Sequence, residues 1–395
     1  MTISTLTFQT NALAEMEALQ TALTQTQTEL SSGTRLPNAA ANPGAMAQVN
    51  QLRMTLAASQ QYVSNGTAAS TNLQLEQSAL TSATNTLQSV RDLAVQANNS
   101  SLTLTDRQDI ATQLEQLQQA LLGAANSTDP SGQYLFAGTA SGTQPFAQSS
   151  GSVSYLGDGQ VNQVQIGADQ SVSAGDSGAA VFMNIAAGNG TFTTAAGAAN
   201  TGTASIDPGS VTNAAAWVPD SYTISFSSPT QYQVTNSAGT VVGSGTYTSG
   251  SAIAFNGAEV TVSGTPAAGD KFTVTPAGKA SVFSTISSLI ATLNSGTLTS
   301  AQITTRVGGA IQQLDNALGT LGYVQASVGG RLNAITTAAN TAQATQTQLQ
   351  GTVSRLSDTD YAAAVTQLST QELALQAAQE SYASIAKLSL FNYVA

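Results

Sequence analysis

Four short stretches of this sequence contain residue types that could do chemistry. GDSG at 175–178 has the form of a serine-nucleophile loop, and Ser384-Ile-Ala-Lys387 fits S-x-x-K. PAGKAS at 276–281 approaches a phosphate-binding loop, and DTD at 358–360 approaches the start of a calcium loop. Each lacks a part: the serine has no histidine base, the S-D-N and K-T-G partners of S-x-x-K are missing, and both loops lack required residues. The sequence therefore predicts turns here, with no enzyme activity and no cofactor.

Histidine and cysteine are absent from all 395 residues. Their absence removes Ser-His-Asp and Cys-His catalysis, Cys/His zinc sites and disulfides. The sequence therefore predicts neither a catalytic set nor a metal set.

The chain is acidic but poorly charged, with a formal net charge of -11 and only 8% charged residues. Such acidity, without a Lys/Arg cluster, argues against binding to nucleic acid or to anionic membranes. No apolar stretch approaches the length of a membrane span. The polar, uncharged surface instead favours subunits that pack side by side.

Both ends of the chain carry helical apolar seams without proline or glycine. Leucines and other apolar residues recur at steps of three, four or seven over residues 1–32, and again from 358 onward. Asp358 is the predicted N-cap of the last helix. The seam residues, which are the predicted assembly interface, are Ile3, Leu6, Leu13, Met16, Leu19, Leu23, Leu30, Tyr361, Val365, Leu368, Leu375, Tyr382, Ile385, Leu388, Leu390 and Phe391.

Further helices are predicted at roughly 45–98, 105–127, 281–294 and 300–350, with Thr105 and Gln108 as a capping box for the second. The segment 138–280 is instead rich in Gly, Thr, Ser and Val. Alternating stretches such as SYTISFSS, separated by Ser-Pro and Ala-Gly turns, predict antiparallel strands. The fold class is therefore mainly α with a β insert.

Two long terminal helices bury too little apolar surface between them to offset the entropy of ordering them. We therefore expect them to be covered by neighbouring copies, so that the ends fold on assembly. The alternative is that each seam is an ordinary core-facing helix of a bundle.

Several motifs resemble those of one protein family. LSSGTRLPNAA at 30–40 and LSDTDYAAAVTQLSTQELALQAAQ at 356–379 resemble the signatures of flagellins. GQYLFAGT (132–139), QPF (144–146), VSYLGDG (153–159), AAVF (179–182) and the ending SLFNYV (389–394) are more similar to the flagellin-like hook–filament junction proteins, the hook-associated protein 3 family. The motif residues are Arg35, Leu36, Asn38, Pro43, Tyr134, Leu135, Phe136 and Gly138. The central insert carries no motif that we can assign, and the Asp-Asp-Pro usual in the family is replaced by NAAANPG.

The resemblance implies a discontinuous, flagellin-like architecture. Residues 1–36 and 349–395 would form an inner α-helical coiled coil. Residues 37–184 and 281–348 would form a helical rod with a β-hairpin near 132–182, and residues 185–280 a variable outer β domain. Arg35, Leu36, Asn38 and Pro43 would set the turn from coil to rod, although an exposed solubilising charge is an equally good explanation of Arg35.

The resemblance also implies a structural role in the extracellular flagellum. The chain would leave the cell by type III export without a cleavable signal peptide, and the opening MTISTLTFQT has neither the basic nor the apolar region of one. It would assemble as a homo-oligomeric ring of about 11 subunits, joining a second hook-associated protein to flagellin. An export chaperone would cover the C-terminal helix beforehand.

Two other functions remain open at this stage. A divergent flagellin would share both terminal signatures, although the YLFAG block and the ending argue against it. A surface hydrolase or adhesin carried by the central insert has no catalytic set to support it, although exposed strands could bind glycans.

Overall fold

The computed structural model describes residues 5–36, 42–149 and 151–394, without the side chains at 5, 6, 8 and 385–394. The chain divides into two compact units. The first, which we call the terminal unit, combines residues 1–64 with 338–395, and the second, the central unit, comprises residues 65–337. The three-domain division expected from the sequence remains a prediction.

Most of the described chain is helical. The α-helices are α1 (Thr5–Ser32), α2 (Pro43–Ala97), α3 (Leu104–Ala125), α4 (Val282–Asn294), α5 (Ser300–Ser357) and α6 (Tyr361–Val394). α1 and α6 belong to the terminal unit, α3 and α4 to the central unit, and α2 and α5 contribute residues to both. The mainly α fold with a β insert is confirmed.

Local side-chain chemistry sets the helix ends. Asn42 caps α2 by accepting the Ala45 N–H at 3.0 Å, and Pro43 occupies the first helical position, where its missing N–H costs nothing. α5 begins with a capping box, since Thr299 accepts the Gln302 N–H at 3.2 Å and Gln302 accepts the Thr299 N–H at 3.0 Å.

The capping box predicted for α3 is wrong by two residues. Thr103 is the N-cap, its hydroxyl accepts the Asp106 N–H, and the Asp106 carboxylate accepts the Thr103 N–H. Asp106 therefore fills the role predicted for Gln108. The aspartate side chain is shorter than that of glutamine, but it still reaches the backbone N–H of the N-cap residue. α5 continues to Ser357 rather than ending near 350, since Gly351 is accommodated inside the helix.

The predicted hairpin near 132–182 is two hairpins followed by one short π-helical turn. β1 (Phe146–Ser149) pairs with β2 (Ser152–Tyr155), and β3 (Gln163–Gly167) pairs with β4 (Gln170–Ser173), both antiparallel. The π-helical turn spans Ala179–Met183. Its Val181 and Phe182 are fully buried.

The insert folds as two antiparallel sheets and one separate pair of short strands at its base. Its strands are β5 (Ile185–Ala186), β6 (Phe192–Ala196), β7 (Ser205–Ile206), β8 (Ser210–Val211), β9 (Tyr222–Ser228), β10 (Gln231–Thr235), β11 (Val241–Thr246), β12 (Ala252–Phe255), β13 (Ala258–Ser263), β14 (Lys271–Pro276) and β15 (Lys279–Ala280). One sheet has the order β11-β10-β9-β14-β6, and the other has the order β12-β13-β7 with β8 also paired to β13. β15 pairs with β5 and so brings the two ends of the insert together.

The insert has its own hydrophobic core. Strands such as β9 alternate buried and half-buried residues, as expected when one face of a sheet is covered. The fully buried large members of this core include Phe192, Tyr222, Ile224, Val260 and Phe272. None of the core residues lies on a helix, so the sheets bury their apolar faces against each other.

Polar side chains of α5 attach the insert to the helices of the central unit. Gln302 donates to the carbonyls of Gly197 and Ala198, both at 3.1 Å. Thr305 accepts the Ile206 N–H at 3.2 Å, and Asn316 donates to the Ala186 carbonyl at 2.8 Å. Hydrogen bonds, rather than a shared apolar core, therefore carry much of this attachment.

Candidate assembly surface

The terminal unit contains the predicted interface, and its helices α1 and α6 pack against each other. Their apolar side chains are only partly covered by this contact. Met16, Leu19, Leu23, Leu368, Leu375 and Tyr382 are half-buried, as is Leu30. Among the described side chains of these two helices, the buried ones are small, Thr26 and Ala364. A single chain thus leaves much of both seams in contact with solvent.

Several large apolar side chains of the terminal helices are exposed to solvent. Leu13 is 50% exposed, Tyr361 55%, Val365 49% and Leu373 69%. Complete burial of such a side chain is worth roughly 1.5–3 kcal/mol, so a partner that covers the exposed half or more adds about 1–2 kcal/mol each. Leu373 was not among the predicted interface residues, although its position within the same apolar helix could have suggested it.

The predicted interface residue Ile3 and the motif residue Asn38 lie outside the described residues. The backbones at Leu6, Ile385, Leu388, Leu390 and Phe391 are helical, but their side chains lie outside the described part. Their role in assembly therefore remains a prediction.

The family motif after α1 forms a tight link to the start of α6. Gly33 adopts φ +68°, and a Cβ there would lie 3.0 Å from the Tyr361 hydroxyl. The Arg35 N–H donates to the Ser357 carbonyl at 2.7 Å, and the Thr359 N–H donates to the Gly33 carbonyl at 3.0 Å. Backbone pairing thus fixes the turn.

The predicted roles of Arg35, Leu36 and Asp358 differ in outcome. The Arg35 side chain is exposed, whereas Leu36 is buried. Asp358 is not the N-cap of α6, because its carboxylate accepts the Ser354 and Ser357 hydroxyls. These two hydroxyl groups lower the pKa of Asp358. Asp360 caps the helix instead and accepts the Ala362 N–H at 3.1 Å.

The YLFAG motif lies in the central unit, not on the terminal helices. Phe136 is fully buried and meets Phe182 edge-on, with ring centroids 5.3 Å apart. The Tyr134 and Leu135 N–H groups donate to the carbonyls of Ser141 and Ser127. The motif is therefore a structural support, which holds the segment after α3 in place.

Gly138 ends this motif where only glycine fits. Its φ is +73°, and the Asp158 and Gln160 carbonyl oxygens would lie 2.5 Å and 2.8 Å from a Cβ at this position. The Asp158 carboxylate accepts the Thr139 N–H at 2.8 Å as well as the Thr139 hydroxyl, and the hydroxyl and N–H lower the pKa of Asp158.

Three of the four stretches that could have carried chemistry have structural roles, and the Lys387 side chain of the fourth, S-x-x-K, lies outside the described part. Ser177 of GDSG is buried, and its carbonyl accepts the Ala180 and Val181 N–H groups, so it starts the π-helical turn. The neighbouring Asp176 forms an ion pair with Arg331. Lys279 of PAGKAS lies in β15, opposite Ala186. Within the described ranges, no group of three or more acidic side chains could hold a metal ion, and no helix combines the length and hydropathy needed to cross a bilayer.

Family models match three parts of the chain. Residues 3–141 match the bacterial flagellin N-terminal helical region, and residues 304–394 match the flagellin C-terminal helical region. Residues 195–276 match the D2-like domain of flagellar hook-associated protein 1. The insert, in which we assign no motif from the sequence, is therefore similar to a known flagellar domain.

Individual relatives agree with these matches. Flagellar hook-associated protein 3 of Escherichia coli is 33% identical over 157 residues, which is 40% of this chain and 49% of that protein. The chain thus matches about half the length of its curated relatives.

Solved structures match over a longer range. Xanthomonas campestris FlgL is 35% identical, with a TM-score of 0.72, and the match covers 77% of this chain and 99% of that one. Legionella pneumophila hook-associated protein-3 is 34% identical, with a TM-score of 0.74, over 78% of this chain and 98% of that one. The chain belongs to the FlgL/hook-associated protein 3 family of hook–filament junction proteins, which are structural flagellar proteins and not enzymes.

Proposed function

We propose that copies of this protein form the adaptor ring that connects hook to filament in the extracellular flagellum. The supporting observation is the surface of the terminal unit. Large apolar side chains of α1 and α6 are exposed there, and the contact between the two helices buries little apolar surface. The exposed residues are Leu13, Tyr361, Val365 and Leu373. Copies of the chain would cover these side chains in a homo-oligomeric ring, with a second hook-associated protein on one side and flagellin on the other.

Three features of this proposal rest on the family resemblance. They are the number of subunits, about 11, the type III export route and the chaperone on the C-terminal helix. The inner coiled coil of 1–36 and 349–395, the rod and the outer domain of 185–280 are likewise proposed. The 349 boundary lies within the continuous helix α5.

Charge substitution at the exposed leucines tests the proposal. Leu13→Glu and Leu373→Glu should change the free energy of unfolding of the monomer by no more than about 0.5 kcal/mol, because both sites are exposed. In the ring, an unpaired buried charge costs about 3–5 kcal/mol, so assembly should fail. Motility and electron microscopy of filaments would be scored in a null strain complemented with each variant.

Leu13→Met and Leu373→Met are the matched controls. They keep the volume and apolar character of leucine and should restore normal filaments. Filaments of normal number and length in both glutamate variants would contradict the proposed interface.

A further inference from the structure

The central unit contains a buried carboxyl group that no described side chain or N–H satisfies. Glu76 lies on α2 and is 1% exposed, and neither of its carboxyl oxygens accepts a hydrogen bond. It sits in the apolar stripe of the helix. The fully buried neighbours at helical spacing are Leu73, Leu80, Ala83 and Leu87. A buried, ionised and unpaired carboxylate would be strongly unfavourable there.

The charges around Glu76 do not balance if it is ionised. Asp176, in the segment after β4, lies within hydrogen-bonding reach of Glu76. Asp176 is already paired with Arg331 of α5, whose guanidinium also donates to the Gly175 carbonyl at 3.1 Å. The Asp176–Arg331 pair is neutral as it stands, so an ionised Glu76 would add an uncompensated negative charge.

The remaining surroundings supply no cation. Glu76 lines a polar cavity of about 80 Å³ with Asp176, Asp129 and Tyr134. One oxygen of Asp129 accepts the Ser131 and Gln133 N–H groups. Although three carboxylates line this cavity, no group of three such side chains among the described residues is arranged to hold a metal ion. No described side chain therefore donates a hydrogen to Glu76, and a proton on Glu76 itself would allow the two acids to share a hydrogen bond.

We propose that Glu76 is a carboxylic acid in the folded protein at neutral pH, and that its O–H donates to the Asp176 carboxylate. The proton joins α2 to the segment after β4, and Arg331 joins that segment to α5. Removal of the proton at higher pH places two carboxylates side by side and weakens this connection. The central unit is therefore a pH-sensitive element whose stability falls as the pH rises.

The direction of the pH dependence follows from proton linkage. Burial, followed by the nearby Asp176 carboxylate, raises the pKa of Glu76 from 4.5 to about 9, and these effects outweigh the smaller lowering by the Arg331 charge and the Asp176 backbone N–H. Between about pH 5.5 and 8 the folded state holds one proton that the unfolded state has lost, so stability decreases with pH over this window. The chain has neither histidine nor cysteine, which are the side chains that ordinarily titrate there.

The test compares the wild-type protein with Glu76→Gln. The glutamine amide can donate to Asp176 without titrating. Urea unfolding followed by circular dichroism at pH 5.5, 6.5 and 7.5 gives the unfolding equilibrium constant of each protein. The wild-type constant, divided by that of the variant, should rise about tenfold per pH unit. Glu115→Gln, at an exposed carboxylate of α3, should keep the wild-type pH dependence.

Infrared spectroscopy gives an independent readout that does not depend on unfolding. At pH 7.5 the wild-type protein and Glu115→Gln should show the C=O stretching band of a protonated carboxyl group, and Glu76→Gln should lack it. An unchanged pH slope in Glu76→Gln, or no protonated-carboxyl band in the wild type, would overturn the proposal. So would stabilisation by millimolar CaCl₂ at pH 7.5 in the wild type but not in Glu76→Gln, because a bound cation would then replace the proton.

Discussion

Gly138 is the residue at which backbone geometry most strictly limits the side chain. Gly138→Ala should lower stability by about 1–2 kcal/mol because alanine disfavours the left-handed conformation. The collision of its Cβ with Asp158 and Gln160 should add about 1–3 kcal/mol. We therefore expect it to lower the free energy of unfolding of the central unit by about 2–5 kcal/mol. Urea unfolding followed by circular dichroism measures this loss.

Gly132→Ala is the control for that substitution. Gly132 has a similar φ of +81°, but a Cβ there would meet nothing within 4 Å. Gly132→Ala should therefore lower the free energy of unfolding only by the conformational cost of about 1–2 kcal/mol. Equal losses in the two variants would show that the collision at Gly138 is relieved by movement of the Asp158 loop.

The sequence contained a signal for Glu76 that composition and motif searches missed. In a chain with so few charges, a glutamate that takes the place of an apolar residue between Leu73 and Leu80 breaks the helical stripe. That position alone predicts a buried acid. It does not predict Asp176 and Arg331 as neighbours, because they lie 100 or more residues away along the chain and only the tertiary fold brings them to α2.

At the scale of elements, the capping box of α3 offers a prediction. Thr103→Ala removes the hydroxyl that accepts the Asp106 N–H, and such a loss costs about 1 kcal/mol. Thermal or urea unfolding of the central unit should report this decrease. Thr112→Ala, at an exposed position inside the same helix, should change stability by no more than about 0.5 kcal/mol, since alanine is the better helix former.

The same cap should also respond to acid. The side-chain and backbone hydrogen bonds from Thr103 lower the pKa of Asp106. The stabilisation from Asp106 is present above the ordinary pKa of aspartate, about 3.9, and is lost as the pH falls through the lower pKa of the folded state. The difference between wild type and Thr103→Ala should therefore shrink in strong acid, and a difference that grew there would contradict this cap.

The helices were easier to predict than their ends. The apolar spacing placed all six helices, because that spacing extends over many turns. It misplaced the caps of α3 and α6, where two candidate residues stand two positions apart and the backbone geometry decides which one caps. The two short hairpins of 146–173 differ from the one hairpin that the resemblance implies, and their strands of four or five residues carry too little periodicity to reveal them from sequence.

At the scale of the whole molecule, the insert should be removable. Its core residues all lie between Phe192 and Val274, and the Ala187 N–H donates to the Gly278 carbonyl at 3.1 Å. A short glycine-serine link in place of residues 188–277 should therefore leave the helices folded. The exposed ends of Gln302 and Thr305 would bind water instead. Circular dichroism should show the helical signal retained in full for the residues that remain.

A point substitution in the intact chain is the matched control for this excision. Phe272→Ala should destabilise the insert by about 3–5 kcal/mol, because the ring is fully buried in its core. Tryptophan fluorescence of Trp217, which packs against that core, would follow the insert, and circular dichroism would follow the helices. Loss of helical signal in either protein would show that the insert supports the helices more than its hydrogen bonds indicate.

The sequence alone determined the order of helices and strands, the absence of catalytic histidine and cysteine, and the family, because these depend on local spacing and on motifs that are contiguous in the chain. The tertiary structure decided which apolar residues stay exposed, which of two neighbouring residues caps a helix, and which charges meet. Glu76, Asp176 and Arg331 illustrate the difference, since nothing in their separate stretches of sequence indicates that they meet. Their chemistry arises only when folding excludes water and places all three side by side.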